Sequence, residues 1–137
     1  MSDLINFDVQ INGLDELDDK LKELSAKTQR KTLEGALMKA ALPIMKDAKK
    51  LAPEDSGDLK KAIGRTRVKK AEHPSVTVEV KKRRNKPWPW YWHFIEHGTS
   101  RTAAAPFLRP AFERNVQLAI DLFSEDLAKR IDKLTQD

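Results

Sequence analysis

Val76-Thr77-Val78-Glu79-Val80 places a valine at every second position. A hydrophobic period of two is typical of a β-strand with one buried face. The turn-forming stretch Glu72-His73-Pro74-Ser75 precedes it, so we expect Arg65-Thr66-Arg67-Val68-Lys69 to be its antiparallel partner. On both sides of this hairpin the apolar residues recur at helical spacing instead. The sequence therefore predicts an α+β fold with a small antiparallel sheet.

Two N-terminal helices are predicted upstream of the hairpin. The first is indicated by leucines at helical spacing, with acids gathered in the first turns, where the helix dipole favours them: Leu14, Leu17, Leu21 and Leu24. The second extends from about Gln29 to Leu51. We expect Pro43 to kink or break this second helix near residues 39–43, because proline lacks an amide proton.

Three shorter segments have weaker patterns. Residues 4–11 alternate loosely and predict a short strand, which Asn12-Gly13 ends. Residues 58–63 are expected to form one or two helical turns, for which Ser56 is a candidate N-cap. Residues 92–97 are compatible with either a strand or a short helix.

The C-terminal part of the chain predicts one long helix with Pro110 in its first turn. Its apolar stripe consists of Phe112, Val116, Ala119, Phe123, Leu127, Ile131 and Leu134. At about 1.5 Å per residue this helix would be nearly 40 Å long, so we expect part of the stripe to cover a neighbouring subunit. Together with the sheet and the two N-terminal helices it is expected to form a single domain over residues 1–137.

Composition and charge restrict the class of protein. The 137 residues contain no cysteine, which excludes disulfides, thiolate zinc sites and cysteine nucleophiles. No apolar run approaches the roughly 18–20 residues of a membrane span, so we expect a soluble protein. Residues 58–114 carry 14 basic and 5 acidic side chains, a net charge of +9, whereas residues 1–57 and 115–137 carry −2 each. Such a local excess indicates an acidic partner, either a nucleic acid or a complementary protein face.

One pentapeptide matches a catalytic pattern. His93-Phe94-Ile95-Glu96-His97 has the H-x-x-E-H form of inverted zinc peptidases, in which two histidines bind zinc and the glutamate is the general base. Gly98 and the prolines upstream leave room for barely one helical turn, and no suitable third ligand is evident. Phosphate-binding glycine loops and G-x-S-x-G elbows are absent. We therefore expect no enzymatic activity, no metal and no cofactor.

Residues 81–92 combine cations with aromatic rings. Lys81-Lys82-Arg83-Arg84-Asn85-Lys86, which we interpret as a solvated hairpin tip, is followed by Pro87-Trp88-Pro89-Trp90-Tyr91-Trp92. Cations that follow a phosphate backbone and rings that stack on bases are typical of single-strand binders. The alternative is that Trp88, Trp90 and Trp92 alternate because one face of an extended segment is buried. Both interpretations use the same residues.

Four segments in matching order resemble a known family. Two are Tyr91–Ser100, with its aromatic-x-Glu-x-Gly-Thr pattern, and Ala105-Pro106-Phe107-Leu108-Arg109-Pro110-Ala111. The others are Gly13-Leu14-Asp15-Glu16-Leu17 and the stretch from Ala48 to Leu59. Together they resemble the tail-component, or head–tail-joining, family of long-tailed lambdoid bacteriophages and prophages (gene-product-ten-like). The likeness extends from Gly13 to about Leu134, and it departs from the family at Pro43 and at the aromatic stretch 87–90.

This resemblance implies a structural virion protein without enzymatic activity. It implies a ring of copies at the neck or upper tail, acting in head–tail joining or tail completion. The implied partners are other neck and tail proteins, and the implied locations are the virion and, during assembly, the host bacterial cytoplasm. A small non-specific nucleic-acid-binding protein using residues 81–92 is the alternative function.

The candidate site residues fall into two groups. The assembly candidates are Arg83, Arg84, Lys86, Trp88, Trp90, Phe107, Leu108 and Arg109, and the structural motif is Gly57, Glu96, Gly98, Thr99, Pro106 and Pro110. Two prolines bracket Phe107-Leu108 in a rigid loop, which we expect to dock either on the protein's own core or on a neighbour. Arg109 is expected to neutralise an acid such as Glu96 or to contact the partner subunit.

Overall fold

The computed structural model of the protein describes residues 15–53 and 57–135. The elements are α1 (Asp15–Lys22), α2 (Ala26–Leu51), α3 (Asp58–Ala62), β1 (Ile63–Arg67), β2 (Val76–Val80), α4 (Trp92–His97) and α5 (Leu108–Thr135). The α+β prediction is confirmed, with a small antiparallel sheet and one long C-terminal helix. The predicted strand at 4–11, its turn and the candidate cap Ser56 lie outside the described residues.

The frame of the fold is the antiparallel pair α2 and α5. The C-terminal half of α2 contacts the first turns of α5, where Asn115 Nδ2 donates a hydrogen bond to Asp47 Oδ2 at 2.8 Å. Its N-terminal half lies against the last turns of α5, where Arg130 crosses Gly35. A Cβ atom at Gly35 would lie 2.5 Å from Arg130 Nη1, so the arginine side chain packs directly over this glycine and would have to move if the residue were larger.

The β-hairpin packs along α2. β1 and β2 pair antiparallel, as predicted, with Thr66 opposite Thr77. β1 spans Ile63–Arg67, so it begins and ends two residues earlier than the predicted partner 65–69. Arg65 donates through its guanidinium to the Met38 carbonyl of α2. At the turn end of the hairpin, Arg30 Nη2 donates to the Ala71 carbonyl at 2.9 Å. The middle of β1 and the turn of the hairpin are therefore both bound to α2 through arginine side chains.

The predicted break at Pro43 does not occur, since α2 is one helix of 26 residues, from Ala26 to Leu51, that includes Pro43. The alternative expectation, a kink within a continuous helix, stays a prediction. Proline removes one backbone hydrogen bond from the helix. Ala40, Ala41 and Ile44, which surround Pro43, are all buried. Packing on both sides of the proline therefore holds the helical path despite the missing bond.

Two apolar clusters lie at opposite ends of the α2–α5 pair. The first is made by α3, the hairpin, α4 and the start of α5, and contains Ala48, Leu59, Ile63, Trp92 and Phe107 among others. The second joins α1 to α2 and the end of α5 through Leu21, Ala36, Leu127 and Ile131. None of the described helices is both long enough and apolar enough to cross a membrane. The first cluster supports the candidate site.

Candidate assembly surface

Glu96 lies at the centre of the family-like motif. Its side chain is only 4% exposed. Its Oε2 accepts hydrogen bonds from the backbone N–H groups of Phe107 at 2.7 Å and Leu108 at 3.0 Å. Its Oε1 accepts a third from the backbone N–H of Arg109 at 2.9 Å. One buried carboxylate of α4 therefore joins α4 to the beginning of α5.

These contacts cap the N-terminus of α5. The first four N–H groups of a helix have no partner within the helix, and α5 begins at Leu108. Glu96 binds three of these groups, and the fourth position is Pro110, which has no N–H. A carboxylate is also favoured at this end by the helix dipole. All four positions are thereby satisfied, and no side chain at Phe107 is needed as a cap.

The loop between α4 and α5 is held by its own hydrogen bonds. Gly98 has φ 75° and ψ 176°, and a Cβ there would lie 2.7 Å from the Ala104 nitrogen. Thr99 Oγ1 accepts from the backbone N–H of Thr102 at 2.9 Å, and the backbone N–H of Ala105 donates to the Ile95 carbonyl at 2.8 Å. Gly98 and Thr99 thus fix the path that brings the chain back to Glu96.

Phe107 and Leu108 dock on the protein's own core. Phe107 is fully buried and Leu108 is buried, both in the first apolar cluster. Of the two expectations for this loop, docking on the protein's own core or on a neighbour, the structure therefore shows the first. Neither side chain is exposed for contact with a neighbouring protein. Arg109 contacts Glu96 through its backbone N–H, while its side chain is exposed. Pro106 is exposed as well.

The zinc-peptidase hypothesis gains no support from this geometry. Its required general base, Glu96, is buried and accepts three backbone hydrogen bonds. The His93 ring stacks on Trp92 with the ring centroids 3.8 Å apart, and His97 is exposed. Among residues 15–53 and 57–135 there is no group of three His, Asp or Glu side chains that could hold a metal ion. The absence of enzymatic activity stays a prediction.

An exposed aromatic pair lies directly beside this rigid region. Trp90 is 61% exposed and Phe94 is 51% exposed, and their rings meet edge to face with centroids 5.9 Å apart. The neighbouring Pro89 is fully buried and Trp88 packs partly on the core. The alternation hypothesis, which placed all three tryptophans on one buried face, is therefore wrong: Trp92 is buried and Trp88 is partly buried, but Trp90 is exposed and Pro89 between them is buried.

The cations before this pair differ in exposure. Residues 81–86 follow β2 without a third described strand, so the hairpin-tip interpretation is wrong, and Asn85 instead forms a turn with φ 59°. Arg84 and Lys86 are exposed. Arg83 is partly buried, with its Nη2 3.8 Å from Asp58 Oδ1. We use the name aromatic-basic patch for four exposed residues that lie close together in the sequence, namely Arg84, Lys86, Trp90 and Phe94.

Gly57, the remaining residue of the structural motif, takes no part in the hydrogen bonds described for Glu96. It precedes α3 in the left-handed conformation, with φ 72°, which glycine adopts without strain. Open space surrounds the position that a Cβ would occupy. Its role is therefore conformational, at the turn that leads from α2 to α3.

Comparison with known proteins gave one informative result. A family model described as "Bacteriophage HK97-gp10, putative tail-component" matches residues 15–98. The matched range extends from α1 through Gly98 and includes Glu96 and the aromatic-basic patch. Searches of curated proteins and of solved structures gave no significant match.

Proposed function

The chain belongs to the tail-component family of bacteriophage HK97 gene product 10, and from this membership we propose that it acts in head–tail joining or tail completion. In this proposal several copies form a ring at the neck or upper tail of the virion. Their partners are other neck and tail proteins, and assembly takes place in the host bacterial cytoplasm. The protein carries out no chemistry, and its function is to present a surface.

The exposed aromatic pair is the observation that carries this proposal. Large exposed side chains that touch one another, such as Trp90 and Phe94, are typical of protein interaction sites. Aromatic residues are also enriched in the energetically dominant part of interfaces. Glu96 is on the same helix as Phe94, α4, and it is bound to the start of α5. The surface around Phe94 is therefore held in place before any partner binds.

The charge around the pair supports a protein partner of opposite sign. Arg84 and Lys86 are exposed close to it in sequence, within the third of the chain that has a net charge of +9. Charges at the rim of an interface mainly steer association and select the partner. The patch therefore combines rings that provide binding energy with cations that provide selectivity.

Reversing the two exposed cations, Arg84→Glu with Lys86→Glu, is expected to prevent assembly without unfolding the protein. Surface substitutions usually change the free energy of unfolding by no more than about 0.5 kcal/mol. Arg83 is left unchanged, because a glutamate at this position would place a second negative charge beside Asp58. We expect a nearly unchanged melting temperature, and electron micrographs of lysates in which heads and tails remain unjoined.

The matched control is Lys46→Glu with Lys50→Glu, which places the same charge change on the exposed face of α2. This variant should yield normal infectious particles. If the Arg84/Lys86 variant also gave normal particles, the assembly role of the patch would be wrong, and a large fall in its melting temperature would show that these residues support the fold.

Nucleic-acid binding is a second candidate, because the same exposed rings and cations suit a single strand. The described helices that flank Arg84 and Lys86 in the sequence, α3 and α4, have only five and six residues, too short to act as groove-reading helices, so any DNA binding is expected to be weak and independent of sequence. Titration of labelled DNA should show an affinity that falls steeply with salt. A footprint at a defined sequence that survives moderate salt would favour the nucleic-acid function over the assembly function.

A further inference from the structure

The hydrogen-bond register of the hairpin shows which backbone groups face the two outer edges of the sheet. Ile63 is opposite Val80, and just beyond this pair the N–H of Lys81 donates to the Ala62 carbonyl at 2.8 Å. Opposed residues of an antiparallel pair alternate between positions that exchange hydrogen bonds and positions that do not. Ile63 and Val80 therefore exchange no hydrogen bond, and the same holds for every second pair. The N–H and C=O groups of all three valines of β2 point outward, away from β1.

The outer edge of β1 is covered by a lysine. The Lys81 side chain crosses Gly64, where a Cβ would lie 3.1 Å from Lys81 Cε. Its Nζ then donates to the carbonyl of Arg65, one of the outward-facing residues of β1, at 2.7 Å. Lysine side chains at an edge strand oppose the addition of another strand. An added strand is therefore expected at β2 and not at β1.

The outer edge of β2 is open. In the part of the chain that the structure describes, β2 pairs with β1 alone, and no loop or helix bonds the backbone of Val76, Val78 or Val80. This edge nevertheless lies beside the core, since Val80 is buried and Val78 packs on the first apolar cluster. Backbone polar groups at such positions are almost always paired in folded proteins. The partner that fits is an extended segment with apolar side chains on the valine face.

Residues 5–11 have the required pattern. Their apolar and polar side chains alternate strictly: Ile5, Asn6, Phe7, Asp8, Val9, Gln10 and Ile11. A period of two puts all four apolar side chains on one face of a strand. The segment contains no proline, so every residue can donate to a neighbouring strand.

The position of α1 fixes the direction of this segment. Leu21 of α1 packs with Ala36 of α2 in the second apolar cluster, and Arg30 of α2 binds the carbonyl of Ala71 in the hairpin turn. Arg30 and Ala36 are only about 9 Å apart along the helix. Residues 12–14 connect the segment to α1 and span at most about 10 Å. Residue 11 is therefore expected near the turn end of the hairpin, where β2 begins, so the segment runs antiparallel to β2.

We propose that residues 5–11 bind the outer edge of β2 in the same chain, as a third antiparallel strand. The occupant is the protein's own segment, because a link of three residues gives it a far higher effective concentration than a neighbouring copy has. Its apolar face then extends the valine face over the first apolar cluster. The edge is thereby closed to other chains, and this inference does not depend on the proposed function.

The proposed register consists of three apolar pairs: Ile5 with Val80, Phe7 with Val78, and Val9 with Val76. It places Asp8 opposite Thr77 and Asn6 opposite Glu79. A shift by two residues in one direction would instead place Asp8 opposite Glu79, and like charges directly opposite each other destabilise a sheet. The polar side chains of the segment thus select this register over that one.

A pair of cysteines tests the contact, since the natural chain has none. Asp8→Cys and Thr77→Cys are introduced into one full-length chain, and the purified protein is treated with a short bis-maleimide. We expect a monomer in which one linker joins the two cysteines, identified by mass spectrometry of the linked peptides. The matched control is Asp8→Cys with Lys46→Cys. Lys46 is exposed and lies two positions before the clustered Ala48, hence on the opposite side of α2, so this pair should stay unlinked.

Hydrogen exchange followed by NMR gives an independent readout. The amide protons of the three valines of β2 face the proposed strand, whereas those of Thr77 and Glu79 face β1. All five should be protected in the wild-type chain. Phe7→Asp puts a charge on the apolar face of the segment and should abolish protection at the valines while Thr77 and Glu79 stay protected. Asn6→Lys changes the other face of the segment, is the matched control, and should leave all five protected.

Three results would overturn the proposal. A cross-linked dimer in place of the linked monomer would mean that the segment binds a neighbouring copy. Equal linking of the test pair and the control pair would mean that residues 5–11 have no fixed partner. Rapid exchange of the valine amides in the wild-type chain would mean that the β2 edge stays open. None of these results bears on the proposed function, which the charge reversal at Arg84 and Lys86 tests separately.

Discussion

Replacing Glu96 by alanine is expected to lower the free energy of unfolding by about 3–5 kcal/mol, because it leaves three helix N-terminal donors without an acceptor. Two of these donors, on Phe107 and Leu108, belong to buried residues, so water cannot readily replace the carboxylate. For a domain of this size the loss corresponds to about 10–20 °C in melting temperature. Urea unfolding followed by tryptophan fluorescence measures the change.

Two further variants separate the cap from general damage to α4. His97→Ala alters the exposed neighbour of Glu96 and should change stability by no more than about 0.5 kcal/mol. Glu96→Gln keeps the shape but offers one acceptor oxygen and turns an N–H₂ group toward the remaining donors, so it should fall between the other two. A Glu96→Ala protein as stable as the wild type would show that the capping contacts contribute nothing.

Phe107→Asp is expected to prevent folding. Truncation of a buried phenylalanine to alanine already costs about 3–5 kcal/mol, and an aspartate at this fully buried position would add an uncompensated charge. Since small domains are stable by only about 5–15 kcal/mol, the Phe107→Asp chain should be insoluble or lack a cooperative unfolding transition. Circular dichroism during heating measures this.

Arg109→Ala is the matched control for Phe107→Asp, because the Arg109 side chain is exposed and only its backbone N–H binds Glu96. It should unfold at nearly the wild-type temperature. A soluble Phe107→Asp protein with a wild-type transition would mean that Phe107 contributes to an interface and not to the core.

The elements with clear periodicity could be predicted from the sequence. The valines of β2 and the turn at residues 72–75 predicted an antiparallel hairpin, and the structure pairs Thr66 with Thr77 within it. Leucine spacing likewise predicted α1, and the stripe beginning at Phe112 predicted α5. In each case the spacing of apolar side chains matches the period of the element, so local order in the sequence is enough.

Contacts between distant segments could not be predicted in the same way. The sequence suggested that Arg109 either neutralises an acid such as Glu96 or contacts a partner subunit, whereas in the structure backbone N–H groups, including that of Arg109, bind Glu96. A partner contact of the exposed Arg109 side chain stays a prediction. One signal was present: α5 is preceded by Phe107, which cannot cap a helix, and has Pro110 as its third residue. A helix start of this kind requires an acceptor from elsewhere, and Glu96 is the nearest acid upstream in the sequence.

Exposure was the other property that the sequence left open. The sequence gives no reason to expect different exposure for Arg83, Arg84 and Lys86. In the structure Arg83 lies near Asp58 and is partly buried, whereas Arg84 and Lys86 are exposed. The sequence likewise does not distinguish the tryptophans at 88, 90 and 92, but in the structure only Trp90 among them is exposed. Buried Pro89 turns this segment, and no periodicity rule applies across two prolines.

Cryo-electron microscopy of the neck and tail of the parent phage tests the central claim most directly. Our account predicts a closed ring of this chain at the neck or upper tail, with the α2–α5 pair recognisable in each copy and Trp90 in contact with a neighbouring protein. A complete reconstruction of infectious particles in which no density corresponds to this chain would contradict the claim.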